Sequence, residues 1–233
     1  MISNDYWLKI QNIAENTRLI EQAQAKVDIF EKLFDSLQTK HVETIVLPSF
    51  NPIILLLEQY YKCTVVASQS VKYSWQSSSD FVDSINDITE PVDIVLALDE
   101  YLTYASSEQD QRDALAKLKN ITGGTLITTL QDYKNAAPHK RNAVDSITSN
   151  DHVVVEQNIL DKINRQNWQT HIYFIENQRD FTVLDAENRR TMYFKQLAKY
   201  SSDLNGTGFT VQKNLLYRGF YKRSYEHIIT LTF

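Results

Sequence analysis

The sequence predicts an α/β domain built on a doubly wound, mostly parallel sheet. Three observations carry that prediction. A short apolar run, Thr44 to Leu47, passes through a tight turn into a helix opening at Asn51-Pro52, and Asn and Pro are favoured at the N-cap and first helical positions. The run Val92-Asp-Ile-Val-Leu-Ala-Leu98 is almost wholly apolar, as befits a central strand covered on both faces. Between residues 43 and 130 strand-like and helix-like segments alternate, the signature of parallel strands joined by crossover helices.

The totals narrow the function classes. The chain has 233 residues, 42% hydrophobic and 23% charged, the balance of an ordinary globular protein. A net charge of −5 offers no global field for nucleic acid or an anionic membrane, so neither is an expected partner. The apolar run Ile53 to Leu57 is far too short to span a bilayer. The opening Met1-Ile-Ser-Asn-Asp5 lacks the basic and apolar regions of a signal peptide. Cys63 is the single cysteine, which rules out an intrachain disulfide and a multi-cysteine zinc site and fits a reducing cytoplasm. The expected location is cytoplasmic.

Each element has its own local reason. Residues 5 to 40 are expected to be helical, with a break near Asn16-Thr17. Ile20, Ala23, Val27, Phe30, Phe34 and Leu37 recur at spacings of three and four and form one stripe. Residues 1–42 therefore read as an N-terminal helical cap, or as a lid or partner-binding helix. Residues 43–233 read as the α/β domain itself. There a first strand (44 to 47) leads to a helix (52 to 61), and a second strand follows at Cys63 to Ala67. Residues 68 to 90 are polar, with a weak strand or helix around Phe81 to Ile85. After the apolar strand at Val92 comes a helix from about Ser107 to Asn120. Ser106 with Gln109 offers it a capping box and Gly123 a stop. A further strand covers Thr125 to Leu130.

Past residue 135 the pattern changes. Residues 135 to 151 are polar and loop-like. Val153 to Glu156, Gln169 to Glu176 and Phe181 to Leu184 read as strands joined by short turns, an antiparallel insertion. A helix is expected from Thr191 to Asp203, stopping at Asn205-Gly206. Two closing strands are expected at Phe209 to Lys213 and His227 to Phe233.

Residues 43 to 130 and 191 to 233 together resemble the class I S-adenosylmethionine-dependent methyltransferase family. The resemblance rests on Asp93-Ile-Val-Leu-Ala-Leu-Asp-Glu-Tyr-Leu102, the helix after it, and Ile121-Thr-Gly-Gly-Thr-Leu-Ile-Thr-Thr-Leu130. It also rests on the closing antiparallel pair. It implies a Rossmann-like sheet, mostly parallel with antiparallel C-terminal strands, and a β-rich insertion at about residues 140–188 after the fifth strand. It implies S-adenosylmethionine as cofactor and transfer of its methyl group to an acceptor, small or macromolecular, that the sequence does not identify. The cofactor contacts it implies are Pro48, Ser49, Phe50, Asn51, Ser68, Gln69, Asp80, Asp99, Glu100 and Tyr101, with Asp80 toward the adenine amino group. The acceptor contacts it implies are Gln131, Asp132, Tyr133 and His139, the last also able to act as a base. No catalytic residue stands out.

Two stretches depart from the family pattern. The first turn, Leu47-Pro48-Ser49-Phe50-Asn51, has neither the family's glycines nor its acid. A side chain there occupies space the cofactor would use. After the second strand, Ala67-Ser68-Gln69-Ser70 offers the ribose only neutral groups, which bond roughly half as strongly as a carboxylate. A second reading follows: a non-catalytic protein that keeps the fold without the cofactor and serves as a binding or assembly module.

The remaining motifs have plain alternatives. Asp80 also reads as a solvated carboxylate or helix cap, and Asp99 to Tyr101 as a capped loop. The five histidines show no metal spacing, and no metal site is expected. His171 and His227 lie in or beside strands and read as structural. Gly206-Thr-Gly208 reads as a helix stop. Lys213, Arg218, Lys222 and Arg223, interleaved with Tyr217, Phe220, Tyr221 and Tyr225, read as a polar loop over buried aromatics. Thirteen tyrosines and ten phenylalanines also suit an interface with a protein partner or a second copy.

Overall fold

The computed structural model describes residues 18–36, 44–46, 57–58, 61, 63–66, 80–98, 100–131, 142–149, 152–160, 167–176, 180–217 and 225–233. Seven strands form one sheet in the order β10-β11-β5-β4-β1-β2-β3. They are β1 (Thr44–Val46), β2 (Thr64–Val66), β3 (Asp80–Val82), β4 (Val92–Ala97), β5 (Thr122–Gln131), β10 (Gly208–Tyr217) and β11 (Tyr225–Thr232). Strands β3, β2, β1, β4 and β5 run parallel, while β11 and β10 run antiparallel to β5 and to each other. The strand order turns back between β1 and β4. This is the Rossmann-like, mostly parallel arrangement with an antiparallel C-terminal pair that the sequence leads one to expect.

Why these strands sit centrally follows from composition. Ile94, Val95, Leu96 and Ala97 are all fully buried, so neither face of β4 meets water. In register, Val95 lies beside Leu126 and Ala97 beside Thr128, and Leu126 lies beside Leu231. These residues share one face. Val95, Ala97, Leu126 and Leu231 form a core with Leu115, Leu118 and Ile121 of helix α2 (Glu108–Ile121) and Leu197 and Tyr200 of helix α3 (Phe194–Asp203). Each fully buried Leu or Ile contributes roughly 1.5–3 kcal/mol relative to exposure. The alternate residues Ile94, Leu96, Ile127 and Ile228 are equally buried, so the other face is covered too. Helix α1 (Arg18–Ser36) buries Val27, Phe30 and Phe34, three members of the expected stripe. Phe34 meets the Tyr61 ring edge-on, with centroids 5.3 Å apart.

A second sheet of four antiparallel strands, β6 (Asn142–Ser149), β7 (His152–Leu160), β8 (Asn167–Glu176) and β9 (Asp180–Arg190), stands between β5 and α3. It is the expected insertion with one strand more. The polar segment read as a loop contains β6, which pairs with β7 from Asn142↔Ile159 to Ser149↔His152. A ladder to a neighbour, rather than any alternation of its own, makes β6 a strand.

Three local details differ from expectation. Helix α2 is capped by Ser107 instead of Ser106, the Ser107 side chain accepting from the Asp110 N–H at 3.0 Å. It ends at Thr122, already extended, and Gly123 lies inside β5 rather than stopping the helix. A Cβ at Gly123 would stand 3.3 Å from the Val92 carbonyl oxygen, so the close approach of β4 explains the glycine. Helix α3 begins at Phe194 rather than Thr191, and it stops as expected. Asn205 adopts a left-handed φ of 63°, the Gly206 N–H donates to Ser201 O at 2.8 Å, and the Asn205 N–H donates to Ser202 O at 3.0 Å. The first 17 residues, most of the helix expected at 52 to 61, and the basic cluster's loop lie outside the described residues.

Candidate functional site

In open α/β sheets, ligands bind outside the carboxyl ends of the strands, where the order of strands reverses. Here that rim carries Val46, Val66, Val82, Ala97 and Gln131 as the last residues of β1, β2, β3, β4 and β5. The segment just after β4 is held tightly. Glu100 is fully buried and takes a left-handed backbone conformation at φ 57° and ψ 38°. Its N–H donates to Thr129 Oγ1 at 3.0 Å, and its carbonyl accepts from the Thr103 N–H at 2.7 Å and from Thr103 Oγ1 at 2.8 Å. Thr128 Oγ1 donates to Ala97 O at 2.7 Å. Two adjacent threonines near the end of β5 therefore fix the end of β4 and the turn after it. A non-glycine residue in the left-handed region costs free energy, and such strain clusters at functional sites. The turn continues into a 3-10 segment, Tyr101–Tyr104. Burial pushes the Tyr101 phenol above its ordinary range.

Beside this turn lies a cavity of about 430 Å³. The end of β2 (Val66), the segment after β3 (Asp83, Ser84, Ile85, Asn86), Tyr101 after β4, and one flank of α2 (Asp110, Asp113, Ala114, Lys117) line it. Its size is that of a small-ligand site, and its lining is mixed: four of the ten residues are apolar or aromatic and six are polar or charged. Ser84 caps a one-turn 3-10 helix, Ile85–Asp87, by accepting from the Asn86 N–H at 3.1 Å, while Asp87 Oδ2 accepts from the Ser84 N–H at 2.9 Å. That box fixes Ser84 and Ile85 at the cavity. The charged groups of the lining are mainly acidic, Asp83, Asp110 and Asp113 against Lys117. The Asp110 carboxyl is held below its ordinary range by hydrogen bonds from Ser106, at 2.5 Å, and from Ser107.

Of the residues expected at the site, Glu100 and Tyr101 fall in this region. Tyr101 lines the cavity, and Glu100 is buried just before it. Asp80 opens β3 opposite Thr64 of β2. It thus stands at the strand end away from the rim, and Asp83 and Ser84 occupy the rim end. Gln131 closes β5 beside Glu226 of β11, at the rim. Pro48, Ser49, Phe50, Asn51, Ser68, Gln69, Asp99, Asp132, Tyr133 and His139 lie outside the described residues. His227, read as structural, pairs with Leu130 and meets the Phe194 ring edge-on at 5.3 Å. Among the described residues no group of three or more His, Cys, Asp or Glu side chains is arranged to hold a metal ion. Among those residues no helix is long and apolar enough to cross a membrane.

Sequence reasoning missed Val66, Asp83 to Asn86 and the α2 flank. One signal was present. Ser84-Ile-Asn-Asp87 is a serine followed three residues later by an acid, the pattern of a capping box. It marks where β3 gives way to a turn at the rim.

Comparison with solved structures agrees with the topology. An S-adenosylmethionine-dependent methyltransferase from Clostridium acetobutylicum ATCC 824 superposes with a TM-score of 0.64 at 12% identity, over 94% of each chain. CalS10, an amino pentose methyltransferase from Micromonospora echinaspora solved with S-adenosylmethionine bound, gives 0.66 at 8% identity over 96% of this chain and 95% of its own. The sugar N-methyltransferase KedS8 from Streptoalloteichus sp ATCC 53650 gives 0.65 at 8% identity over 95% and 91%. No protein-family model and no curated protein matches the sequence. The chain therefore has the class I S-adenosylmethionine-dependent methyltransferase fold, a likeness carried by backbone and not by sequence.

Proposed function

We propose that this protein binds S-adenosylmethionine at the carboxyl rim of its parallel sheet and transfers the methyl group to an acceptor not yet identified. The observation that carries this reading is the cavity between the ends of β2, β3 and β4 and the flank of α2. Val66, Ile85 and Ala114 give it apolar walls, Tyr101 an aromatic one, and Ser84 and Asn86 polar groups. This donor set fits a nucleoside, which needs flat apolar contact and a few hydrogen bonds at its edge.

When bound, S-adenosylmethionine supplies a methyl group already activated on a sulfonium. What remains for the protein is placement and exclusion of water. Thr128 and Thr129 hold the end of β4 and the buried Glu100 turn in one conformation. Tyr101 is thereby presented to the cavity from a fixed backbone. Asp83, Asp110 and Asp113 outnumber Lys117 in the lining and favour a ligand carrying positive charge. Acceptor contacts belong to the far side of the rim, where β5 ends and the antiparallel insertion begins.

A second reading, a non-catalytic protein of the same fold, is favoured by the glycine-free turn Leu47 to Asn51 and by the neutral Ala67 to Ser70. Thermal unfolding with increasing S-adenosylmethionine, and separately S-adenosylhomocysteine, separates the two. A ligand at a hundred times its dissociation constant stabilises the folded state by about 2.7 kcal/mol. The methyltransferase reading expects both ligands to raise the unfolding temperature. An unmoved transition at millimolar ligand favours the binding module.

A further inference from the structure

We infer that Gln111 is a positioning residue that ties the antiparallel insertion to the cofactor cavity, so that filling the cavity sets the insertion. This rests on the methyltransferase reading. The side chain of Gln111 is fully buried in α2. Its Nε2 donates to the Arg190 carbonyl at 3.1 Å, at the last residue of β9. Its Oε1 accepts from Gln196 Nε2 at 3.4 Å, and the same Gln196 nitrogen donates to Tyr200 Oη at 2.6 Å. One turn earlier on α2, Glu108 Oε1 accepts from Arg190 Nη2 at 3.2 Å. The root of the insertion is thus held by α2 twice, once through its backbone and once through its side chain.

The opposite flank of α2 is a wall of the cavity, through Asp110, Asp113, Ala114 and Lys117. A second connection runs in parallel. The 3-10 segment that starts at Tyr101, another lining residue, packs along β9. Two walls of the cavity therefore belong to elements that touch the last strand of the insertion. A ligand that fixes α2 against Tyr101 also fixes β9, and Gln111 is the buried link. An apolar side chain would fill the same volume, but it could not satisfy a main-chain carbonyl at the junction. Such a buried polar network specifies one arrangement when all its members are bonded.

The test is amide hydrogen exchange across Asp180–Arg190, with and without S-adenosylhomocysteine, alongside calorimetric measurement of its binding. In the unaltered protein the ligand is expected to slow exchange in β9 about fivefold or more, the lower end of ordinary site-to-site coupling. Gln111→Leu keeps the volume and is expected to bind the ligand yet lose the slowing. Ile121→Val, a mild core change on the same helix, is expected to retain it. Glu108→Ala, at an exposed position, is expected to reduce it and serves if Gln111→Leu does not fold. Binding without any slowing in the unaltered protein overturns the coupling alone. Slowing that survives in Gln111→Leu, or that is undiminished in Glu108→Ala where that is the variant available, overturns the role of the joint. No heat of binding in the unaltered protein overturns the methyltransferase reading and the coupling with it.

Discussion

The N–H of Glu100 donates to Thr129 Oγ1 at 3.0 Å across the junction of β4 and β5. A strained left-handed residue at the rim is therefore fixed by a side chain 29 positions away in sequence. Thr129→Val preserves shape and removes the acceptor of that bond. The expected cost is about 1–3 kcal/mol, the penalty for a buried donor left without its acceptor. Denaturant titration reads it as a lower midpoint with an unchanged slope. S-adenosylhomocysteine affinity is expected to fall as well, because the Tyr101 turn loses its anchor. A variant as stable as the parent would show that the bond contributes nothing.

Gly206 offers a test of the α3 terminus. A Cβ there would lie 2.9 Å from the Ser201 carbonyl oxygen and closer still to its hydroxyl. Gly206→Ala is expected to cost about 1–3 kcal/mol through overpacking. Adding Ser201→Ala removes the hydroxyl but not the carbonyl, so it is expected to restore part of the loss. Full restoration would place the whole clash on the hydroxyl.

Helix α2 depends on its cap. Ser107→Ala removes the oxygen that accepts from the Asp110 N–H, at a typical cost of about 1 kcal/mol. Ser106→Ala leaves that bond in place. Thermal unfolding of the two variants is expected to show the larger loss at Ser107, and the reverse order would mean that Ser106 caps the helix.

Alkaline pH is expected to destabilise the fold. Burial, with help from the Glu58 carboxylate, pushes the Cys63 thiol from its ordinary 9.0 up to about 12. Its Sγ donates to Tyr61 O at 3.6 Å. The folded state therefore keeps a proton that the unfolded state gives up. Stability from this group is whole below about pH 9 and is lost as pH rises from there toward about 12. Tyr101 and Tyr61 shift in the same direction, both chiefly through burial. Denaturation midpoints at pH 8 and pH 10 check the sign, the second being lower, with a smaller fall in Cys63→Ala. A midpoint that rises between the two contradicts the assignment.

The residues that revealed the fold are those whose own neighbourhood settles their structure. Val92 to Leu98 is apolar except at the exposed Asp93, because both faces of β4 are buried from Ile94 onward. Asn205-Gly206 ends α3 because a left-handed residue is needed there. Strand β6 was illegible for the opposite reason: its sequence is polar, and its ladder to β7 makes it a strand. Gly123 misled because a glycine that accommodates a neighbouring strand reads like a glycine that stops a helix. Of the residues expected at a site, Tyr101 lines the cavity and Glu100 precedes it, and both follow directly from the apolar strand before them. The rest of the cavity was not legible, because Val66, Ser84 and Ala114 meet only once three strand ends and a helix are brought together.

Methyl transfer by this protein requires a sulfonium nucleoside in that cavity. Ala114 lines it from α2, so a large side chain at that position would take up part of the cavity. The decisive measurement is a calorimetric titration of S-adenosylhomocysteine into the parent protein and into Ala114→Phe, with unfolding temperatures recorded for both. The expected result is binding of one ligand per chain in the parent and at least a tenfold weaker constant, about 1.4 kcal/mol, in a variant that remains folded. Equal binding in the two, or none in the parent, would contradict it.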